Sequence, residues 1–468
     1  MKIHMVAICG TGMGSLAGML AEAGHAVRGS DRAFYPPMSE RLRAWGIPTF
    51  EGFDGKRLSD RPDLVIVGNA CRPDNPEARA ALDMKLRVMS FPQALAEFFI
   101  GEKCSLVVAG THGKTTSAAL LAFLLRRAGR DPSFLVGGIP KDFGKSFHHG
   151  AGAEFVVEGD EYDTAFFDKR PKFVHYRPRR VLLIAVGYDH ADIYPDRESY
   201  RAAFGMLLSL LPPDGELVAC RDDPGAREIA RSAPCPVRTY GLAPGPGLSA
   251  RDIADDGSAT TFTLVDEGRA LGRFRLAIPG RHNVQNALGA LSLARGLGLD
   301  PAALAAHLAD FAGVARRLEV RGEAAGVTVL DDFAHHPVKT RESVAAARLR
   351  YPGRHLVAVF EPRTNTSRRA VFQQEYRTAF DGADEVILVP PFEAEKIPAA
   401  ERFDSAALAG DLTRAGIPAR CLPDTAAVIR DLQGRALSGW VVLVMSNGAF
   451  DDIHRRLLEA LAAREGAR

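Results

Sequence analysis

Apolar runs and helical periodicity alternate from the first residues. KIHMVAICG reads as a buried strand, TGMGSLAGMLAEAG as a loop entering a helix, and AVRGSD as a second strand. LVIVGNA (64–70) is a third strand, helical pattern returns around 92–100, and GEKCS marks a boundary near residue 102. SLVVAGTHGKTTSAALLAFLLRRAG is strand, glycine-rich loop and helix, and VLLIAVGYDH (181–190) is another buried strand. From about 213 to 280 short strands separated by polar turns (ELVAC, VRTYGL, TTFTLV, RFRLAI) predict a small accessory sheet, after which PGRHNVQNALGALSLARGLG returns to helix. Beyond FAGVARRLEV, the segments VTVLDDF, HLVAVFEPR, EVILVPPF and WVVLVMSNGAF are four buried strands between helical stretches. Such alternation predicts mostly parallel sheets with helices on both faces. The reading is an α/β chain of three domains, residues 1–102, 103–312 and 313–468, the central one built like a P-loop ATPase.

Length agrees, since 468 residues exceed what one core holds. A composition 46% hydrophobic and 25% charged is that of a soluble globular protein. The net charge of +2 gives no electrostatic ground for a nucleic-acid or acidic-lipid partner. No apolar run approaches a membrane span, and the N-terminus opens on a strand rather than a secretory signal, so the expected compartment is the cytoplasm. Cys9, Cys71, Cys104, Cys220, Cys235 and Cys421 are scattered without CxxC spacing, the pattern of free thiols in a reducing compartment.

Several stretches carry chemistry. In ICGTGMGS, Gly10 and Gly12 suit a tight turn before a helix N-terminus, which favours a diphosphate, and Asp31 stands where a ribose-binding acid falls. Ser15 replaces the third fingerprint glycine, so the nucleotide need not be NAD. AGTHGKTTSAALL is more specific. The backbone of Gly110, Thr111, His112, Gly113 and Thr116 can cradle phosphates, Lys114 can reach the β/γ-phosphates, and the Thr115 hydroxyl can ligate Mg²⁺. Strict Walker spacing requires glycine at 108, where Val108 stands, so the loop is a shortened variant. The run EGDEYD then offers carboxylates at Glu158, Asp160, Glu161 and Asp163. Mg²⁺ takes hard oxygen ligands together with nucleotide phosphates. Glu158, at a strand end, is the candidate metal ligand, and the other three shape the turn. His190 is a third metal-ligand candidate, ahead of Asp189 and Asp192. Asn283 and Asn286 share a helix face and suit an adenine edge, or serve as caps. Arg316 and Arg317 hold phosphate or form a solvated linker pair. DDFAHHP combines carboxylates with two imidazoles but completes no zinc ligand set.

GTHGKTT, EGDEYD, the DH at 189–190, PGRHNVQNA, GVARR and DDFAHHP, in this order over essentially the whole chain, resemble the Mur ligase family. The resemblance implies an ATP-dependent amide ligase of peptidoglycan assembly, using Mg²⁺ and forming an acyl phosphate on a sugar carboxylate. It implies phosphate contact for Lys114, a cation among Thr115, Glu158 and His190, and adenine contact for His282, Asn283 and Asn286. It further implies a γ-phosphate contact for Arg317, ribose for Asp332, and His335 near the reacting phosphate. AFFDKRPKFVHY, DHADIY, VFEPRTNT and VMSNGAFDDIHRRLL are similar to the recycling branch that joins L-alanyl-γ-D-glutamyl-meso-diaminopimelate to UDP-N-acetylmuramate. The rival branch adds L-alanine alone, and a dehydrogenase or a non-catalytic nucleotide sensor are more distant alternatives. Candidate substrate residues are Gly10, Gly12, Ser15, Asp31 and Asn69; Lys169, Arg170 and His175; and Arg363, Asn365, Ser446 and Asn447. A monomer or weak homodimer is expected. Two departures stand out. Ala185-Val186-Gly187 replaces an upstream Asn common in the family, and Phe204 stands where other branches carry a carbamylated lysine.

Overall fold

The computed structural model of the protein describes residues 1–35, 38–190 and 193–465; Asp192 and part of DHADIY lie outside them. Three separate large sheets organise the chain, together with a small two-stranded ribbon. The first is wholly parallel, in the spatial order Thr49–Glu51, Ala26–Asp31, Lys2–Val6, Leu64–Val67, Val88–Ser90. Its strand order reverses between Lys2–Val6 and Leu64–Val67, which opens a ligand crevice at their C-terminal ends. Gly10, Gly12 and Asn69 follow those two strands.

The central sheet has ten strands. Cys104–Ala109 lies between Glu154–Gly159 and Arg180–Leu183, parallel to both. Leu106, Val107, Val108 and Ala109 are wholly buried, as a strand covered on both faces must be. The helix Lys114–Arg127 leaves this strand through the loop and is buried from Thr116 to Leu125. The expected accessory sheet is not separate. Glu216–Cys220, Val237–Gly241 and Leu248–Asp255 extend the parallel ladder, and Thr260–Asp266 and Arg269–Leu276 continue it as antiparallel strands. The strand expected over 181–190 is also shorter, ending at Leu183. Residues beyond it leave the sheet, and His190 takes a left-handed φ of 55°.

The last sheet runs Glu319–Ala324, Val327–Asp332, Val441–Met445, Leu356–Phe360, Glu385–Leu388, Ala419–Cys421, all parallel except the first strand. Its two faces carry cores of their own. The first and central sheets instead share one continuous apolar cluster, from Ile3 through Phe147 and Phe155 to Ile229. Phe147 is the wedge in that cluster. It packs edge-on against Trp45 at 5.4 Å, and a Cβ on Gly18 would lie 2.6 Å from its ring. Ser15 Oγ meets Ser146 Oγ at 2.6 Å beside it. The last sheet is joined differently, through a linker whose Ala315 N–H donates to Ile139 O at 2.9 Å and whose Gly313 O accepts from Lys141 N–H at 2.9 Å. Among the described residues no helix is long and apolar enough to cross a membrane.

Phe147→Ala is expected to cost about 3–5 kcal/mol in urea denaturation, because it empties a junction between two layers. A loss below about 1 kcal/mol would contradict the shared core.

Candidate active site

The phosphate loop is shaped by glycines that no other residue replaces. Gly110 has φ 144° and Gly113 has φ 76°. A Cβ at Gly110 would lie 2.9 Å from the Ala185 backbone, and one at Gly113 would lie 2.6 Å from Asn286 Oδ1. Thr111 Oγ1 donates to Gly187 O at 2.7 Å and lies 3.0 Å from the Tyr200 hydroxyl, which pins the loop to the neighbouring crossover. Ala185 contributes its carbonyl, accepting from Thr111 N–H at 2.8 Å. Phe204 is fully buried against Phe173 and Tyr200, so that helix face is packing.

The acidic run divides differently from the expectation. Glu161, read as a turn residue, is fully buried and central. Its Oε2 accepts from Lys114 Nζ at 2.8 Å, and its Oε1 accepts from the Tyr200 hydroxyl at 3.0 Å and faces His190 Nε2 at 3.2 Å. Burial opposes its charge, yet Lys114 and His190 hold the Glu161 carboxyl well below the usual range. Sequence order alone could not show this, because Glu158 and Glu161 stand on the same run. Glu158 Oε2 accepts from Thr115 Oγ1 at 3.0 Å, and the Gly137 N–H donates to Oε1. Burial, with Asp160 beside it, pushes the Glu158 carboxyl up to about 7. A buried carboxylate and a hydroxyl next to a phosphate loop, short of positive charge, fit a divalent cation. His190 is buried; desolvation lowers its pKa, but Glu161 and Asp189 outweigh it and raise it above the ordinary imidazole value.

Two cavities meet at this loop. One, of about 320 Å³, joins all three domains, its walls including Thr11 and Gly12, Lys114 to Glu158 and His190, and Arg317 with His335. The other, of about 240 Å³, runs from Gly113 and Thr116 past His282, Asn283 and Asn286 to Arg317 and Asp332. His282 is pushed down to about 4 by burial, so it is neutral there. Asn283 Nδ2 donates to Pro279 O at 2.6 Å and Asn286 Nδ2 to Asn283 Oδ1 at 3.3 Å, so these amides also fix the helix start. The arginine pair separates by role. Arg316 is a clamp, bonding Asp331 at 3.1 Å and the carbonyls of Ser446 and Gly448. Arg317 stands over the Phe333 ring at 5.3 Å and forms no ion pair among the described residues. Asp332 accepts from Leu318 N–H, Ala334 N–H and Ser343 Oγ, so both its oxygens are already engaged. His335 Nδ1 bonds Phe333 O at 2.9 Å, leaving Nε2 as its other ring nitrogen. His112 and His336 face each other at 4.9 Å across the domain junction.

Several candidate substrate residues lie apart from these cavities. Ser15 is buried in the junction with Ser146 and Thr11 O, and Asp31 accepts from the N–H groups of Cys9 and Arg32 at 2.7 Å. Lys169 and Arg170 are the exposed residues of the ribbon Asp163–Ala165/Asp168–Pro171, paired with Asp163 and Asp168 at 2.8 Å, and His175 also bonds Asp168. Lys172, which the sequence reading passed over, lines the larger cavity instead. Arg363 lies 3.7 Å over the Phe392 ring and 3.3 Å from Glu361, which accepts from Ser446 Oγ. Asn365 is exposed and accepts from Arg368, and the Asn447 Oδ1 is buried without a partner.

A phosphate loop backed by buried acids and closed by a third α/β domain defines a nucleotide-dependent enzyme of three parts. Models of the Mur ligase catalytic domain, middle domain and glutamate ligase domain match residues 2–102, 108–294 and 316–448. The chain belongs to the Mur ligase family. It is 38% identical, over all of both chains, to the UDP-N-acetylmuramate–L-alanyl-γ-D-glutamyl-meso-2,6-diaminoheptandioate ligase of Escherichia coli. It is 37% identical to the UDP-N-acetylmuramate–L-alanine ligase of Kineococcus radiotolerans, over 99% of this chain and 97% of the other. The solved murein peptide ligase of Psychrobacter arcticus superposes with a TM-score of 0.76 at 33% identity over 99% of each chain.

A carboxyl whose folded pKa is raised above its unfolded 4.5 loses stability as pH rises through about 7. Glu158→Gln is therefore expected to exceed the parent in stability by about 3 kcal/mol at pH 8, with the gap closing towards pH 4.5. A gap that does not change with pH in denaturant titrations would contradict the buried, charge-poor position.

Proposed function

We propose that the chain joins the tripeptide L-alanyl-γ-D-glutamyl-meso-diaminopimelate to UDP-N-acetylmuramate at the expense of ATP, as a step of peptidoglycan recycling. The end-to-end match to the Escherichia coli tripeptide ligase carries this reading. The meeting of three domains at one cavity supports it, because the reaction needs a nucleotide, a sugar carboxylate and a peptide amine together. The first domain binds the sugar nucleotide at its crevice, the middle domain binds ATP, and the last domain brings the peptide and closes.

The donor carboxylate attacks the ATP γ-phosphorus, ADP leaves, and the peptide amine then displaces phosphate from the acyl phosphate. The chain's own groups supply position and charge. Lys114 and Arg317 face the transferring phosphoryl group, where fixed cations stabilise developing charge. Thr115 and Glu158 would hold Mg²⁺, with His190 joining them through a neutral imidazole once it is released from Glu161, and the bound ion would neutralise phosphate charge. Asn283, Asn286 and His282 flank the base, Asp332 the ribose, and His335 presents Nε2 near the reacting phosphate. Arg363 with Ser446 and Asn447 offers the peptide a cation and polar groups at the strand ends. Closure of the last domain keeps water from the acyl phosphate.

The Kineococcus relative favours one second reading, addition of L-alanine alone. Phosphate release with ATP and UDP-N-acetylmuramate separates the two. Release driven by tripeptide and not by free alanine is expected, and the reverse would assign the chain to the alanine branch. Lys114→Ala should cut that release at least about a hundredfold.

A further inference from the structure

The basic triplet Lys169, Arg170 and Lys172 does not act as a unit. Lys169 and Arg170 are 70% and 60% exposed in their side chains and each has an acid of its own ribbon within 2.8 Å. The Lys172 side chain is only 14% exposed, and its nearest carboxylate oxygen, on Asp160, is 3.7 Å away, beyond hydrogen-bond length. Its ammonium is held instead over two rings, Phe91 of the first domain at 5.7 Å and Tyr162 of the middle domain at 5.3 Å. The backbone beneath it is fixed. Lys172 N–H donates to Tyr162 O at 2.9 Å, and the next residue, Phe173, is fully buried. Lys172 therefore presents a half-compensated cation on a rigid mount, in the wall where Thr11 and Gly12 face Lys114 and Glu158.

That position has a specific electrostatic problem. A carboxylate approaching the phosphate loop from the first domain passes Asp160 and Glu158, both of its own sign. We propose that Lys172 binds the lactoyl carboxylate of the donor sugar and holds it in line with the phosphate loop. The aromatic rings keep the ammonium dehydrated without consuming its hydrogen bonds, so a carboxylate gains a charge-assisted partner there. This assignment rests on the proposed donor.

Affinities for UDP-N-acetylmuramate and for UDP-N-acetylglucosamine, which lacks the lactoyl carboxylate, test it in the parent chain, Lys172→Met and Lys172→Arg. The Met variant should lose about ten- to hundredfold in affinity for UDP-N-acetylmuramate and nothing for UDP-N-acetylglucosamine, with ATP binding unchanged. Lys172→Arg should recover most of the loss. Equal losses for both sugars would move the lysine to the pyrophosphate and overturn the proposal, as would no loss at all. Should the Met variant not fold, Lys172→Gln gives the same comparison. A parent chain that binds neither sugar nucleotide overturns the donor reading itself.

Discussion

A single carboxylate without solvent exposure organises the phosphate-binding end of this enzyme. Glu161 holds the loop lysine, the histidine of the next crossover and the Tyr200 hydroxyl at once. Removing one member of such a buried set leaves the others charged and unpaired, at a cost of about 3–5 kcal/mol. The arrangement also accounts for the backbone of His190. A left-handed φ in a histidine is a strained conformation, sustained only where surrounding bonds over-determine it. Its carbonyl accepts from Ile193 and Tyr194 N–H, and the Tyr194 hydroxyl returns to Glu161 O at 2.6 Å. Loop, acid and crossover thus brace each other before any phosphate arrives.

Around that point the three sheets are joined unequally. The first two share one apolar core through Phe147, so the crevice of the first sheet and the phosphate loop form a rigid pair. The last domain has its own cores and meets the pair through a linker, the His112–His336 contact and Phe372 against Tyr188. Both cavities lie on that second, more polar junction. Interfaces of this kind permit domain motion, whereas a shared core resists it. In the proposed reaction, donor and ATP are positioned by the rigid pair, and the acceptor by the domain that closes.

How far the sequence revealed this follows from what each feature depends on. The buried strands and the phosphate loop depend on local pattern, and GTHGKTT lies where that pattern puts it, between a buried strand and a helix. The antiparallel extension of the central sheet depends on which edge remains free, which periodicity does not encode. Glu158 and Glu161 have the same side chain three residues apart, and only the turn between them decides which meets Lys114. Arg316 and Arg317 divide similarly, because a left-handed φ of 60° at Arg316 turns it towards Asp331 and leaves its neighbour to the cavity. Lys172 was hidden by its own company, since the two basic residues before it are more conspicuous and are neutralised locally.

The central claim is that this junction turns a sugar carboxylate into an acyl phosphate. UDP-N-acetylmuramate labelled with ¹⁸O at both oxygens of the lactoyl carboxylate tests it most directly, by mass analysis of the phosphate released with ATP and tripeptide. The account predicts one ¹⁸O atom in each phosphate formed. Unlabelled phosphate alongside completed amide product would contradict it.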